Sequence, residues 1–385
     1  MSSTPSMRPD FERIALLLQG GGALGSYQAG AYQALAEANL HPDWVAGISI
    51  GAINSALIAG NAPEKRVEKL RAFWETITTP PMGIPFLSGL EIKNDMQRQM
   101  VNQWRAMGTM LFGAPSFFKP RVPPPIFTPA GNPGSLSFYD IGPLKALLES
   151  LVDFDRINAR ETRFSVGATN VKTGNLTYFD NTTHKVGAAH VMASGSLPPG
   201  FPATEVDGEF YWDGGIVSNT PLQWVLDARP RNDTLAFQID LWSASGELPR
   251  DMIEVDVRQK DIRYSSRTRA GTDQFRKMQA VRRAAAMLLT NMRPELRQSP
   301  EAELLAQEAD TKVYNIIHLI YHARKYEGAS KDYEFSRRTM EEHWKTGYDD
   351  MIRTLHHPEV LQRPQSADGV FTFDLAKQGR EEIKR

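Results

Sequence analysis

The chain has 385 residues, 41% hydrophobic and 23% charged, with a net charge of −1 at pH 7 and no cysteine. Such a balance suits a soluble globular protein with a large core and gives no global field to recruit nucleic acid. The absence of thiols excludes disulfides, cysteine nucleophiles and thiolate metal sites.

Residues 1–12 are polar and read as a flexible tail. Ile14 to Leu18 follows as a short buried strand, too short to span a bilayer or to form a signal-peptide core. No run elsewhere reaches the ~20 apolar residues of a spanning helix. The chain therefore reads as cytoplasmic, with peripheral contact to a membrane left open. After a glycine loop, Tyr27 to Glu37 reads as a helix, Trp44 to Ile48 as a strand, and the small residues Gly51 to Gly60 as a closely packed helix. Strand–helix–strand–helix with short loops predicts an α/β fold: a mostly parallel central sheet with helices on both faces.

Prolines punctuate residues 79–140, which read as an irregular insertion. Within it Met96, Met100, Trp104, Met107 and Leu111 recur at helical spacing, with Phe112, Phe117 and Phe118 following. That stripe suits either ordinary core or a lid over an apolar ligand. Phe164 to Asn170 and Thr234 to Trp242 read as further buried strands. The expected domain, 13–245, is followed by an α-rich extension over 246–385. In the extension Phe275, Met278, Ala285 and Leu288 share a helix face, Lys312 to Tyr321 reads as a strand, and Arg337 to Leu355 as a helix ending before Pro358. Residues 258–283 are rich in Lys and Arg, which suits a solvated surface or a patch for anionic head groups.

Two motifs carry chemistry. Gly20-Gly21-Gly22-Ala23-Leu24-Gly25 lies between a strand and a helix, where bare N–H groups and the helix dipole bind anions. It formally fits a dinucleotide fingerprint, but no acidic residue ends the second strand, and no Lys follows for a P-loop. Gly47-Ile48-Ser49-Ile50-Gly51 matches G-x-S-x-G at a strand-to-helix junction. Gly47 and Gly51 let strand and helix pass close to the serine, and the helix N-terminus favours its alkoxide. The two loops should emerge at the same edge of a parallel sheet, so the glycine N–H groups can face a substrate carbonyl oxygen.

A serine needs a proton acceptor. None of the eight histidines (His41, His184, His190, His318, His322, His343, His356 and His357) sits in a recognisable catalytic context. Asp213 ends a short aromatic strand in Tyr211-Trp212-Asp213-Gly214-Gly215, ahead of Asn219-Thr220-Pro221; alone, this reads as an Asp-Gly turn.

The ordered set of glycine loop, G-x-S-x-G and Asp213-Gly214-Gly215 over residues 13–242 resembles the patatin-like phospholipases. Ala193-Ser194-Gly195-Ser196-Leu197-Pro198-Pro199 resembles the segment preceding the aspartate there, and Tyr333–Ser336 with His343–Tyr348 resembles a C-terminal extension of one bacterial subgroup. The resemblance implies a patatin-like three-layer α/β/α fold and a Ser49–Asp213 dyad. It implies an oxyanion hole drawn from Gly20, Gly21, Gly22, Ala23, Leu24 and Gly25, with Gly47, Gly51, Gly214 and Gly215 in support. Metal-free hydrolysis of lipid acyl esters through an acyl-enzyme follows, with no cofactor and no nucleic-acid partner. Where the family often carries Lys or Arg after the glycine triplet, Ala23 and Leu24 stand here, so the oxyanion would rest on backbone N–H groups. Acyl transfer by the same serine, a short hydroxyacid-oligomer esterase, a non-catalytic lipid binder and a dehydrogenase are the competing classes; the acyltransferase would need a histidine partner that the sequence does not place.

Overall fold

The computed structural model describes residues 8–79, 95–114, 116–265, 268–324 and 326–374. Parts of the expected tail and insertion (1–7, 80–94 and 115), and Arg267 of the basic stretch, lie outside the described residues. The chain runs β1 (Arg13–Leu18), a 3₁₀ turn over the glycine loop, α1 (Ser26–Glu37), β2 (Trp44–Ile48), α2 (Ile50–Ala59), α3 (Arg66–Ile77) and α4 (Asp95–Phe112). It continues through β3 (Lys119–Pro120), β4 (Tyr139–Asp140), α5 (Gly142–Leu151), α6 (Phe154–Asn158), β5 (Arg163–Asn170), β6 (Leu176–Asp180), α7 (Ala188–Ser194), β7 (Thr204–Val206), β8 (Glu209–Asp213) and α8 (Leu222–Leu226). Then follow β9 (Thr234–Asp240), α9 (Met252–Tyr264), α10 (Thr268–Thr290), α11 (Pro300–Glu308), β10 (Tyr314–Ile320), α12 (Arg337–Leu355) and β11 (Val370–Asp374).

Among the described residues nine strands form the central sheet, in the order β11-β10-β9-β1-β2-β5-β8-β7, with β6 also paired to β5. The pairings from β11 through β5 are parallel, and those among β5, β6, β7 and β8 are antiparallel. The expected strands all form, within a few residues of their expected ends. The parallel ones are buried on both faces, which is why β1 is a continuous apolar run. Ile14, Leu16 and Leu18 join the core under α1, α2 and α12, whereas Ala15 and Leu17 join the opposite core with α8 and α10. Helices thus cover both faces. β10 and β11 come from the C-terminal region, so that region extends the same sheet.

One helical expectation needs correction, and one open alternative is decided. The α10 face is not the one spelled by Phe275, Met278, Ala285 and Leu288: Met278 and Leu288 are exposed, and the buried stripe runs through Thr272, Phe275, Gln279, Arg282 and Ala285. Arg282 can sit there because its guanidinium pairs with Asp227 at 2.9 Å and its stem covers apolar surface. In α4, Met96, Met100, Trp104, Met107 and Leu111 are all more than half exposed, so the stripe is not core. Phe117 and Phe118 leave that stripe and are buried in an aromatic cluster with Phe201 and Phe335.

α1 and α12 pack so closely that two glycines mark their crossing. A Cβ on Gly30 would lie 1.8 Å from the Trp344 carbonyl oxygen, and one on Gly347 1.9 Å from that of Tyr27. We expect Gly30→Ala and Gly347→Ala each to cost at least ~1–3 kcal/mol, read as a lower midpoint in thermal unfolding. Gly271→Ala in α10, where a Cβ would meet Leu222 Cδ2 at 3.9 Å, should raise the midpoint instead.

Candidate active site

β1 ends at the glycine loop and β2 at Ser49, and the two strands are parallel neighbours, with Leu18 opposite Gly47. β1 also pairs with β9 on its other side. The chain therefore winds away from β1 in both directions, and the loops beyond such a switch point open a crevice. Ser49 turns the chain from strand to helix at φ 56° and ψ −124°, a sparsely populated conformation for a side chain-bearing residue. Sterics demand glycine around it: a Cβ on Gly47 would lie 2.2 Å from the Gly51 carbonyl oxygen, and one on Gly51 2.2 Å from that of Leu18.

The register of β5 explains how Asp213 arrives. β2 pairs with β5 as far as Ile48 opposite Gly167. β8 takes over at the next position, with Asp213 opposite Ala168. β6 pairs with residues overlapping both, so it occupies the other edge, and β2 and β8 must share one edge end to end. Ser49 and Asp213, far apart in sequence, are thereby set at one junction. Gly214 packs there too: a Cβ on it would lie 2.4 Å from the Gly167 carbonyl oxygen.

Asp213 is 2% exposed. Its Oδ1 accepts the Gly215 N–H at 2.7 Å, and the Ser49 hydroxyl is its side-chain hydrogen-bond partner. Burial pushes the carboxyl up from its ordinary 3.8 to about 6, against the opposing pull of these two donors. The segment 193–199, flagged in the sequence without a role, positions both residues. Ser194 Oγ accepts the Ser49 N–H at 3.0 Å while donating to the Gly167 carbonyl at 2.6 Å, and the Ser196 carbonyl accepts the Asp213 N–H at 2.9 Å.

The glycine loop divides in two. Gly20, Gly21 and Gly22 line the cavity beside Ser49 and Asp213. Ala23, Leu24 and Gly25 are buried behind it. Of the six N–H groups expected to face the cavity, that of Gly20 donates to Asn219 O, that of Ala23 to Asp332 O and that of Leu24 to Gly21 O. Gly25 does not line the cavity, so the expectation narrows to Gly21 and Gly22, whose N–H groups have no acceptor among the described residues. The sequence reading passed over Ile50, which also lines the cavity and heads α2 without a backbone acceptor for its N–H. It also passed over Asn219 as a brace: Asn219 Nδ2 donates to the Gly20 carbonyl at 2.9 Å. Neither could be singled out without knowing which loops meet.

The cavity measures about 390 Å³, within the ~300–1,000 Å³ usual for small-molecule sites. Its walls are mainly apolar and aromatic, including Phe117, Phe118, Phe201, Leu144 and Phe335. No histidine is among its lining residues. His190 packs on Phe179, and His343 on Tyr321 beside Glu327. No cluster of three or more His, Asp or Glu among the described residues is arranged to hold a metal ion.

A family model described as patatin-like phospholipase matches residues 16–226, and a second, described as patatin phospholipase, matches residues 262–367. No curated protein matches by sequence. Among solved structures, VipD from Legionella pneumophila is similar at 16% identity, covering 97% of this chain and 74% of that one, with a TM-score of 0.42. ExoU from Pseudomonas aeruginosa, solved in complex with SpcU, is similar at 16% identity over 78% of this chain and 60% of that one, with a TM-score of 0.29.

The raised carboxyl has a consequence for stability. Holding Asp213 at about 6 against 3.8 unfolded means that charging it opposes folding by roughly 3 kcal/mol. That penalty is absent below pH 3.8, grows between pH 3.8 and 6, and is complete above. We expect Asp213→Asn to unfold at a temperature a few degrees above the parent at pH 8. The gap should close as the pH falls from 6 to 4, measured by thermal unfolding across that range.

Proposed function

The chain belongs to the patatin-like phospholipase family, lipid hydrolases acting on ester bonds, and from that premise we propose that it cleaves carboxylic acyl esters through a Ser49–Asp213 dyad and an acyl-enzyme. The observation that carries this reading is the contact between the Ser49 hydroxyl and a buried carboxylate in an apolar cavity whose lining includes no histidine. Asp213 takes the proton as Ser49 Oγ attacks the ester carbonyl carbon. The Gly21 and Gly22 N–H groups, with that of Ile50, face the developing oxyanion. As the intermediate collapses, the C–O bond to the alcohol breaks and Asp213 returns its proton to the leaving oxygen. Water then gives a proton to Asp213 and attacks the acyl carbon; the bond to Ser49 Oγ breaks, Asp213 returns its proton to that oxygen, and the fatty acid leaves. The carboxylate does alone what a histidine does in the usual triad, and its raised pKa makes it a stronger base than a solvated aspartate.

The acyl chain lies in the aromatic half of the cavity, and the substrate is reached from a lipid surface by α4. Two facts support this. The apolar stripe Met96–Leu111 faces solvent, and Thr109 and Met110 of the same helix line the cavity. Met and aromatic side chains suit irregular lipid contacts. No helix among the described residues is long and apolar enough to cross a membrane, so this contact is peripheral.

Ser49→Ala and Asp213→Asn should each lower turnover of p-nitrophenyl esters by ~10⁴-fold or more, with the double variant little worse than either. Turnover in the parent should fall about tenfold per pH unit below about 6, because Asp213 must be ionised to accept a proton. Full activity in Asp213→Asn, or loss of activity on changing any one histidine, removes the dyad. For the surface contact, Trp104→Ser with Met107→Ser should weaken liposome sedimentation while leaving hydrolysis of a short soluble ester unchanged. Equal sedimentation of the folded variant removes the role given to α4.

A further inference from the structure

The first family match ends at residue 226, and Ser49, Asp213 and the glycine loop all lie inside it. The cavity does not end there: Asp332, Tyr333 and Phe335, from the connection between β10 and α12, form part of its wall. We propose that this connection is a component of the catalytic centre, with Asp332 as the residue that positions the oxyanion loop. The inference rests on the Ser49–Asp213 reading and concerns what holds that loop in place.

The contact is made by backbone. The Asp332 carbonyl oxygen accepts the Ala23 N–H at 2.8 Å. It also fills the space where a side chain on residue 22 would stand, since a Cβ on Gly22 would lie 2.1 Å from that oxygen. Gly22 is at φ +56°, which glycine adopts without penalty. Engaging the Ala23 N–H fixes the turn at Gly22 and so fixes where the Gly21 and Gly22 N–H groups point.

Side chains hold that carbonyl in position. Lys260 Nζ, on α9, donates to both Asp332 carboxylate oxygens at 2.8 and 3.0 Å, and to the Ala329 carbonyl at 3.1 Å. The adjacent residues pair in the opposite sense: Lys331 Nζ donates to Asp261 Oδ1 at 2.6 Å. Two neighbouring positions on α9 and two on the connection thus exchange opposite charges, which admits one register only. Lys331 is 4% exposed and stands 5.1 Å from the Trp242 ring, whose Nε1 donates to the Gly20 carbonyl at 2.8 Å. The connection therefore reaches both sides of the glycine loop, through Asp332 to Ala23, just after the triplet, and through Lys331 and Trp242 to Gly20 at its start. α12, which follows it, packs against α1, which follows the loop.

A displacement of about 1 Å in a donor can cost as much as 10²-fold in rate. The pairs thus act on turnover more than on substrate binding. The test uses the full chain and a short p-nitrophenyl ester, comparing the parent, Ser49→Ala, Lys260→Met, Lys260→Arg and Asp332→Asn. An inactive parent sinks the hydrolase reading itself. With an active parent and a dead Ser49→Ala, we expect Lys260→Met and Asp332→Asn to lower kcat by about 10–100-fold with KM within about twofold, and Lys260→Arg to recover most of the loss. Asp332→Asn keeps the shape and backbone of the native residue, so it tests the ion pair in a folded protein. If both kcat values stay within about twofold of the parent, or if only KM changes, the positioning role of Asp332 is wrong.

Discussion

Everything in the proposed centre depends on the single edge of β5 that β2 and β8 share. β2 brings Ser49 up from one side as a parallel strand; β8 brings Asp213 down from the other as an antiparallel one. Because hydrogen-bond registers are discrete, a slip of one residue would turn the Asp213 side chain to the opposite face of the sheet. The bonds that fix this junction are local: Ser194 holds the Ser49 N–H, Ser196 holds the Asp213 N–H, and Gly167 takes the Ser194 hydroxyl. The end of α7 and the residues just after it are thus a gauge that sets the distance between Ser49 and Asp213.

The same junction places a carboxylate where water is scarce. Burial raises Asp213 to about 6, and only the Ser49 hydroxyl and the Gly215 N–H offset it. A solvated aspartate would be too weak a base to draw a proton from serine, and a fully unsatisfied one would stay protonated at neutral pH. Two donors and an apolar surround leave the group charged at neutral pH yet basic. Stability is lost to the same degree, since charge on Asp213 is less costly in the unfolded chain.

Around this pair the N-terminal and C-terminal parts of the chain form one structure. β10 and β11 continue the sheet past β9, α12 lies along α1, and the connection between β10 and α12 reaches the glycine loop. α4 is docked against the same region, with Arg98 paired to Glu342 and its guanidinium 3.8 Å from the Tyr326 ring. The cavity, its apolar approach and the loop beside Ser49 thus share one support.

The sequence by itself determined what depends on neighbours along the chain. Short continuous apolar runs bounded by glycine loops and alternating with helical patterns suit strands buried on both faces, so the parallel sheet was legible. Gly47 and Gly51 around Ser49 stand between a buried strand and a small-residue helix, so the elbow was legible as well. The family resemblance added Asp213, which taken alone is an ordinary Asp-Gly turn. Only the tertiary structure decided the rest. Which glycine N–H groups remain without an acceptor depends on Asn219 and Asp332, residues brought to the loop from about 200 and 300 positions away. Whether the α4 stripe is core or surface depends on what packs against it, and helical spacing is the same in both cases. The α10 face was misassigned for a related reason: Arg282 Nη2 and Gln279 Nε2 are engaged by Asp227 and by the Lys312 carbonyl on other parts of the chain, and a pattern of apolar residues cannot register partners it does not contain.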